Sequence, residues 1–387
     1  MDPESYELEV VDVVEETSDA HSITFAIPTG AAAEFTYRPG QFLTVAVPSD
    51  QTGVAARCYS LSSSPGDTGA ESTMTITVKR TVDGYASNWI CDHVGVGDTL
   101  RVLPPSGIFT PASLDADLLL FAGGSGVTPI MSITRTALAR GTGRIAVFYA
   151  NRDERSVIFA KEFAELSAAH PERLQVVHWL ESVQGLPSQA QVRAIAADHL
   201  DRDAFVCGPA PFMKLTIAAL RELEFPRERR HQEKFVSLGG NPFGDLVDVV
   251  EVEVDGLDEV VEIASSSESD AQSDARSDAQ PAAQPAAHPA AGSDVGVVRL
   301  EVELDGETHV YDDWHRSTTM LDHVESHGLK APYSCREGEC SACAVRLVEG
   351  EVSLAHNDVL DEEDLADGIR LACQATPVSD VVRVTYS

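Results

Sequence analysis

No stretch of this sequence stays apolar for the roughly 20 residues that a membrane-spanning helix needs. Its beginning, MDPESYELEV, has neither the basic nor the apolar region of a secretion signal. These absences predict a soluble, cytoplasmic chain that does not associate with membranes. Basic residues are scarce, 28 Lys and Arg against 62 Asp and Glu, for a formal net charge of -34. Such a surface repels nucleic acid and anionic lipid, which excludes a polyanion-binding function. Lysine is the scarcer basic residue, with five in the whole chain, and acids occur in every segment, so the excess belongs to the general surface and not to one tail. Molar salt shortens the Debye length to about 3 Å and makes this self-repulsion tolerable, so a halophilic setting is expected. Cysteine is also sparse, at seven residues, yet Cys335, Cys340, Cys343 and Cys373 crowd near the carboxyl end. In a reducing compartment that crowding favours metal binding over disulfides.

A chain of 387 residues exceeds one ordinary hydrophobic core, and its grain changes along its length in a way that predicts three folded domains. Residues 1–112 alternate short β-rich runs (YELEVVDVV, SITFAI, QFLTVAV, STMTITVKR, TLRVLPP) with Gly, Pro and Ser clusters, as in an antiparallel barrel or sandwich. From 113 to 236 the order becomes apolar strand, glycine turn, helix, which predicts an α/β domain on a parallel sheet. Residues 237–296 include ASSSESDAQSDARSDAQPAAQPAAHPAAGSD, which has no aromatic or large aliphatic residue to bury and reads as a disordered linker. Within 297–387, VVRLEVELDGETHVY reads as a hairpin turning at Asp305 and Gly306.

The most specific chemical pattern is Cys335-x4-Cys340-x2-Cys343 with Cys373 after 29 intervening residues, the plant-type [2Fe-2S] spacing. Three thiolates on one short loop and a fourth from a distant segment can surround two irons, and Gly338, Ser341, Ala342 and Ala344 are small enough to admit backbone N–H groups. A four-cysteine zinc site is the alternative, but zinc knuckles usually pair two short C-x2–4-C units, which this spacing does not match. Upstream, Arg57-Cys58-Tyr59-Ser60 offers a permanent charge for phosphate, a flat ring face and a hydroxyl. Gly84-Tyr85-Ala86-Ser87-Asn88-Trp89 opens a helix whose free N–H groups suit a pyrophosphate. Gly123-Gly124-Ser125-Gly126-Val127-Thr128-Pro129 joins an apolar strand to a helix but lacks the G-x-G-x-x-G fingerprint. Cys207-Gly208-Pro209 ends another strand at the edge where open parallel sheets bind ligands, and Glu233-Lys234-Phe235 follows 26 residues after Cys207. Each of these last five motifs alone is compatible with an ordinary surface strand, tight turn or core cysteine, or carries no information by itself.

Taken in order, RCYSLS, GYASNW, PPSGIF, AGGSGVTP, VCGPAPFM and HQEKF resemble the ferredoxin–NADP reductase family. CREGECSAC with LACQ resembles plant-type ferredoxins, and the fusion order, with FVSLGGNPFGD, is similar to reductases of 3-ketosteroid 9α-hydroxylase and phenylacetyl-CoA epoxidase. The resemblance covers nearly all the chain outside about 245–296. It implies an antiparallel β-barrel flavin domain, an NAD(P)-binding α/β domain and a β-grasp ferredoxin domain. By it, Arg57, Tyr59, Ser60 and Lys79 meet the flavin, whose phosphates lie on Gly84, Ala86 and Ser87; GYASNW as a pyrophosphate site favours FAD, with FMN the alternative. Gly123, Gly124, Gly126, Thr128, Gly208 and Pro209 then hold NADH or NADPH, with Cys207 beside the nicotinamide. Phe235 covers the flavin ring, and Ser60, Cys207 and Glu233 serve the transfer chemistry. Asp153 and Glu154 would accept a ribose hydroxyl and favour NADH, whereas Arg152 and Arg155 would hold a 2′-phosphate. The implied partner is a terminal oxygenase receiving electrons from a chain that is monomeric when isolated. A nitrosative-stress cluster protein as acceptor, or a non-catalytic electron carrier, are the alternatives.

Overall fold

The computed structural model describes residues 5–49, 53–66, 73–82, 84–235, 243, 296–304, 306–329, 331–333, 336–338, 341–360 and 362–386. Asp305, Cys335, Cys340 and, apart from Phe243 and Gly296, the stretch 237–296 read as a linker lie outside the described residues.

The first sheet contains β1 (Tyr6–Thr17), β2 (Ala20–Ala26), β3 (Phe42–Ser49), β4 (Gly53–Ser60), β5 (Thr73–Lys79) and β6 (Thr99–Ser106), ordered β4-β3-β6-β1-β2-β5 with every pairing antiparallel. The two edge strands meet where Leu61 bridges Ile76 and the Ser62 N–H donates to the Thr75 carbonyl at 2.8 Å, which closes the sheet into a barrel. Period-two alternation decides what each strand shows to either side. On β5, Met74, Ile76 and Val78 are fully buried in the barrel core, so Thr77 and Lys79 point to the opposite face. Helix α1 (Tyr85–His93) covers one end, sending Ala86 and Ile90 into the same core.

The second sheet is parallel throughout: β7 (Leu118–Gly123), β8 (Ile145–Asn151), β9 (Leu174–Leu180), β10 (Asp203–Cys207) and β11 (Arg230–Glu233), ordered β11-β10-β7-β8-β9. Its helices are α2 (Val127–Arg140), α3 (Ala160–Ala169), α4 (Glu181–Gln184), α5 (Gln189–Ala196) and α6 (Ala210–Glu222). Burial on both faces explains the unbroken apolar run of β7. Leu118 and Leu120 pack with Ile130 and Ile133 of α2, while Leu119 and Phe121 pack with Val192 of α5 and Leu220 of α6. The chain leaves β7 towards β8 and β9 on one side and returns to β10 and β11 on the other. The carboxyl end of β7 is therefore the switch point at which such sheets open a crevice.

The third sheet comprises β12 (Val297–Leu304), β13 (Glu307–His315), β14 (Ala344–Glu349), β16 (Ile369–Leu371) and β18 (Val381–Thr385), with β15 (Val352–Leu354) and β17 (Ala375–Pro377) as a separate pair. Only β12 and β18 run parallel; Gly306, at φ +80°, stands in the β12–β13 turn. Helix α7 (Met320–Ser326) supplies Met320, Leu321 and Val324 to the core under this sheet, giving the expected α+β β-grasp arrangement, and α8 (Glu362–Ala366) follows.

Contacts link this third sheet to the other two. Arg227, just before β11, reaches Asp364 at 2.6 Å and Asp367 at 2.9 Å, and the Lys234 ammonium donates to the Val359 carbonyl at 2.9 Å. Ala342 is buried with Phe42, Ala46, Ala56 and Leu103 of the barrel and with Phe243. The small side chain of Ala342, expected only to admit N–H groups to a cluster, thus also lets its loop pack against the barrel.

Candidate functional site

A cleft of about 280 Å³ opens between the barrel and the turn that follows β7. Strand β4 contributes Arg57, Tyr59 and Ser60, and the outer face of β5 contributes Thr77 and Lys79. Gly84, Ala86 and Ser87 form the start of α1, Ser125 and Thr128 come from the glycine turn and α2, and Phe235 stands at the rim, 48% exposed. Burial pushes the Tyr59 hydroxyl well above the usual phenol range, only partly offset by the charge of Arg57, so Tyr59 presents a neutral ring and O–H.

The start of α1 has no side-chain cap. The Ser87 hydroxyl accepts from the Thr81 N–H at 3.0 Å, and the Asn88 amide donates to the Thr81 and Gly84 carbonyls at 3.0 and 2.6 Å. Gly84 caps the helix without a side chain of its own, which leaves the first-turn N–H groups directed at the cleft. A cationic wall, a flat aromatic face and a helix start are the donor set that a flavin with a pyrophosphate requires.

The remaining expected nucleotide residues lie on the strand ends beside the cleft and not in its wall. A Cβ on Gly126 would stand 2.3 Å from the Cys207 carbonyl oxygen, so the turn is seated directly on the end of β10. Gly208, at φ +158°, would bring a Cβ within 3.0 Å of Gly123, which fixes the close approach of β7 and β10. Gly124 (φ +52°) completes the turn and Pro209 starts α6. Cys207 and Glu233 are paired neighbours on β10 and β11, both buried. Burial holds the Glu233 carboxyl up to about 8, and burial together with the Glu233 charge raises the Cys207 thiol well above its ordinary range. At neutral pH Glu233 is therefore mostly a neutral acid able to donate a proton, and Cys207 a neutral thiol. Asp153 caps its own turn, accepting from the N–H groups of Arg155 and Ser156 at 3.0 Å, whereas Arg152 reaches Asp19 of the barrel at 3.1 Å. Lys79 shares that carboxylate at 3.6 Å.

In the third domain, Cys343 and Cys373 are buried, and the Ala372 N–H donates to the Cys343 carbonyl at 3.0 Å, so the described half of the four-thiol set is drawn together. Just before Cys343, the described residues Arg336 (φ +59°), Gly338 (φ +79°) and Ser341 (φ +49°) hold left-handed backbone. A Cβ on Gly338 would stand 2.7 Å from the His356 carbonyl oxygen, so glycine is required there. Two buried thiols flanked by a loop in this left-handed conformation suit a cysteine-bound iron–sulfur cluster. Sequence reasoning missed Thr77 and Thr81, and it named Ser125 and Phe243 only as parts of longer motifs. Thr77 lies two residues before Lys79 and so shares its strand face, which a period-two reading would have shown.

The fold and site define an NAD-binding oxidoreductase carrying an iron–sulfur domain, of the kind that serves as the reductase component of oxygenase systems. Residues 120–217 match the oxidoreductase NAD-binding domain, and residues 302–378 the 2Fe-2S iron-sulfur cluster binding domain. The chain is 47% identical over 379 residues to the ferredoxin reductase component of 3-ketosteroid-9-alpha-monooxygenase from Rhodococcus rhodochrous, covering 98% of this chain and 96% of that one. It is 30% identical over 395 residues to a component of 1,2-phenylacetyl-CoA epoxidase from Escherichia coli strain K12, covering 97% of this chain and 96% of that one. Among solved structures, phthalate dioxygenase reductase shares the fold with a TM-score of 0.51 at 20% identity, covering 98% of each chain. The chain belongs to the family of ferredoxin reductase components of 3-ketosteroid-9-alpha-monooxygenases. Among the described residues no helix is long and apolar enough to cross a membrane.

Proposed function

We propose that this chain draws electrons from NADH and delivers them to a terminal oxygenase that hydroxylates a 3-ketosteroid. The observation that carries the reading is the cleft itself, where Arg57, Tyr59 and Ser60 of the barrel face Ser125 and Thr128 of the nucleotide turn in a chain matching that reductase end to end. A bound flavin supplies conversion of the nicotinamide's paired electrons into single ones, and a [2Fe-2S] cluster supplies the one-electron outlet. Arg57 would neutralise a flavin phosphate, Lys79 would lie on the strand beside the flavin, Tyr59 and Phe235 would face its ring, and Ser60 would reach its edge. Gly84, Ala86 and Ser87 hold the FAD pyrophosphate on the first turn of α1. Gly123, Gly124, Gly126, Thr128, Gly208 and Pro209 seat the dinucleotide, with Cys207 at the nicotinamide and the buried Glu233 donating or retaining a proton. Cys335, Cys340, Cys343 and Cys373 hold the cluster. The division 1–112, 113–236, 237–296 and 297–387 follows from the same reading, as does a soluble cytoplasmic chain, monomeric when isolated. Asp153, fixed as a turn cap, keeps a carboxylate after β8 that disfavours a 2′-phosphate, so NADH is the donor. The test is reconstitution with a 3-ketosteroid 9α-hydroxylase oxygenase component. NADH-dependent steroid hydroxylation is expected, at a higher kcat/KM for NADH than for NADPH. Rapid NADH oxidation with cytochrome c but none coupled to that oxygenase would overturn the partner assignment.

The raised Glu233 carboxyl has a stability signature. Its folded value of about 8 lies above the unfolded value, so folding takes up a proton between them. The stability contributed by this group is complete below the unfolded value and is lost as pH rises through about 8. Glu233→Gln is expected to flatten that fall, leaving the variant more stable than the parent at pH 9 by up to a few kcal/mol, as read by urea unfolding of the flavin-free protein. Parallel stability curves for the two proteins from pH 5 to pH 9 would contradict it.

The net charge of -34 supports adaptation to high salt. Between about 0.01 M and 1 M salt the Debye length falls from roughly 30 Å to 3 Å, so repulsion among the excess carboxylates is screened. The melting temperature should rise by several degrees over that range, despite weakening of the exposed ion pairs, and an unchanged value would remove the halophilic reading.

A further inference from the structure

We propose that Asp313, His323 and His327 form a divalent-cation site of the zinc type, fastening β13 to α7 in the iron–sulfur domain. The three side chains bring one ligand atom each to within 4.8 Å of one another. His323 and His327 are four residues apart, which puts both rings on one side of the helix end, their centroids 4.6 Å apart. Asp313 faces them from the neighbouring strand, with Oδ2 at 3.0 Å from His327 Nε2 and Oδ1 at 3.6 Å from His323 Nε2.

Two observations separate this cluster from an ordinary ion pair. The first is that His323 is only 4% exposed and its Nε2, directed into the cluster, has no hydrogen-bond partner. A buried polar atom left in this way costs free energy that a coordinated cation would recover. The second is the tautomer of His327. Its Nδ1 lies 3.0 Å from the His323 carbonyl oxygen, which can only accept, and the Ser326 hydroxyl beside it already donates to that same oxygen at 2.7 Å. Nδ1 therefore keeps a hydrogen, and Nε2, aimed at Asp313, is the nitrogen that a cation would take in place of its proton. A backbone carbonyl that fixes the far nitrogen of a liganding imidazole is the usual outer support of a histidine metal site.

The donor set selects the ion. Two imidazole nitrogens and one carboxylate suit Zn2+ and its borderline neighbours, whereas Mg2+ and Ca2+ prefer oxygen alone. The Asp313 side chain is 60% and that of His327 34% exposed, so the remaining coordination positions open to water. The site also lies close to the frame of the cysteines. Leu321 of α7 donates its N–H to the Ala372 carbonyl at 3.0 Å, and Ala372 donates to the Cys343 carbonyl at 3.0 Å. A cation holding α7 on β13 would stiffen the segment between Cys343 and Cys373.

The test uses the purified holoprotein, stripped of loose metal by a chelating resin and titrated with ZnCl2 alone by calorimetry in excess Mg2+, while the visible absorbance of the iron–sulfur cluster is followed. One Zn2+ per chain at micromolar affinity or tighter is expected, with the absorbance unchanged and the melting temperature of the domain raised by several degrees. Asp313→Asn and His327→Gln, both exposed positions, should each weaken binding by about tenfold or more while keeping the cluster absorbance. No binding in excess Mg2+, equal binding by both variants, or uptake that bleaches the cluster would each overturn the site; the last would show that the cysteines had taken the zinc.

Discussion

Cys343→Ala is expected to abolish NADH-dependent reduction of cytochrome c and of the oxygenase while sparing reduction of ferricyanide. Cys343 is buried in the core of the third domain with Cys373, which stands in the turn between β16 and β17, and alanine offers no thiolate to iron. The cleft belongs to residues of the barrel, the glycine turn and Phe235, none of which is in the third sheet. Each of the first two sheets has its own core, so flavin binding should survive the substitution. On the proposed electron order ferricyanide would take electrons at the cleft, so its reduction should stay near that of the parent, whereas cytochrome c reduction should fall to background. The measurement is steady-state kinetics with both acceptors, alongside flavin and iron content. Loss of both activities with flavin retained, or survival of both, would show that the order nicotinamide, flavin, cluster, acceptor does not hold here.

What the sequence disclosed and what it hid follow a physical division. Local chemistry was legible: β7 announces itself as a strand buried on both faces, Gly84 and Pro129 mark helix starts, and the spacing of Cys335, Cys340 and Cys343 with Cys373 has few alternatives. Arg57, Tyr59, Ser60, Lys79, Gly84, Ala86, Ser87, Thr128 and Phe235, singled out from separate motifs, line one cleft. The other residues expected at the nucleotide approach one another through their backbones, as Gly126 against Cys207 shows, and a pattern of glycines does not reveal which of them faces a ligand and which a neighbouring strand. Long-range pairs were not legible at all. Nothing local in Arg227 points to Asp364 and Asp367, 137 and 140 residues further on, and nothing local in Arg152 points to Asp19. The Asp313, His323 and His327 cluster was hidden for the same reason: the two histidines have helical spacing, but the carboxylate arrives from another element.

The least conspicuous of these long-range contacts predicts a large effect. Phe243, in the Gly-rich segment after β11, is 1% exposed and packs with Phe42, Ala46, Ala56 and Leu103 of the barrel and with Ala342, the residue beside Cys343. Arg101 stacks its guanidinium 5.1 Å over the ring and donates to the Phe243 carbonyl at 3.0 Å, holding the residue from both ends. One aromatic side chain thus shares a core with the barrel and with the residue next to Cys343. Truncating a buried phenylalanine costs about 3–5 kcal/mol, and here that loss falls on the docking of two domains more than on the core of either. Phe243→Ala should therefore retain flavin, cluster and ferricyanide reduction and yet slow transfer between the two cofactors, seen as a fall in cytochrome c reduction at saturating NADH. Rapid-mixing absorbance should show the flavin reduced promptly and the cluster reduced late, a lag that a general loss of stability would not produce. Phe243→Leu, which keeps most of the apolar volume, should recover much of the rate. Parental cluster reduction in Phe243→Ala would show that the loop is held against the barrel by other contacts.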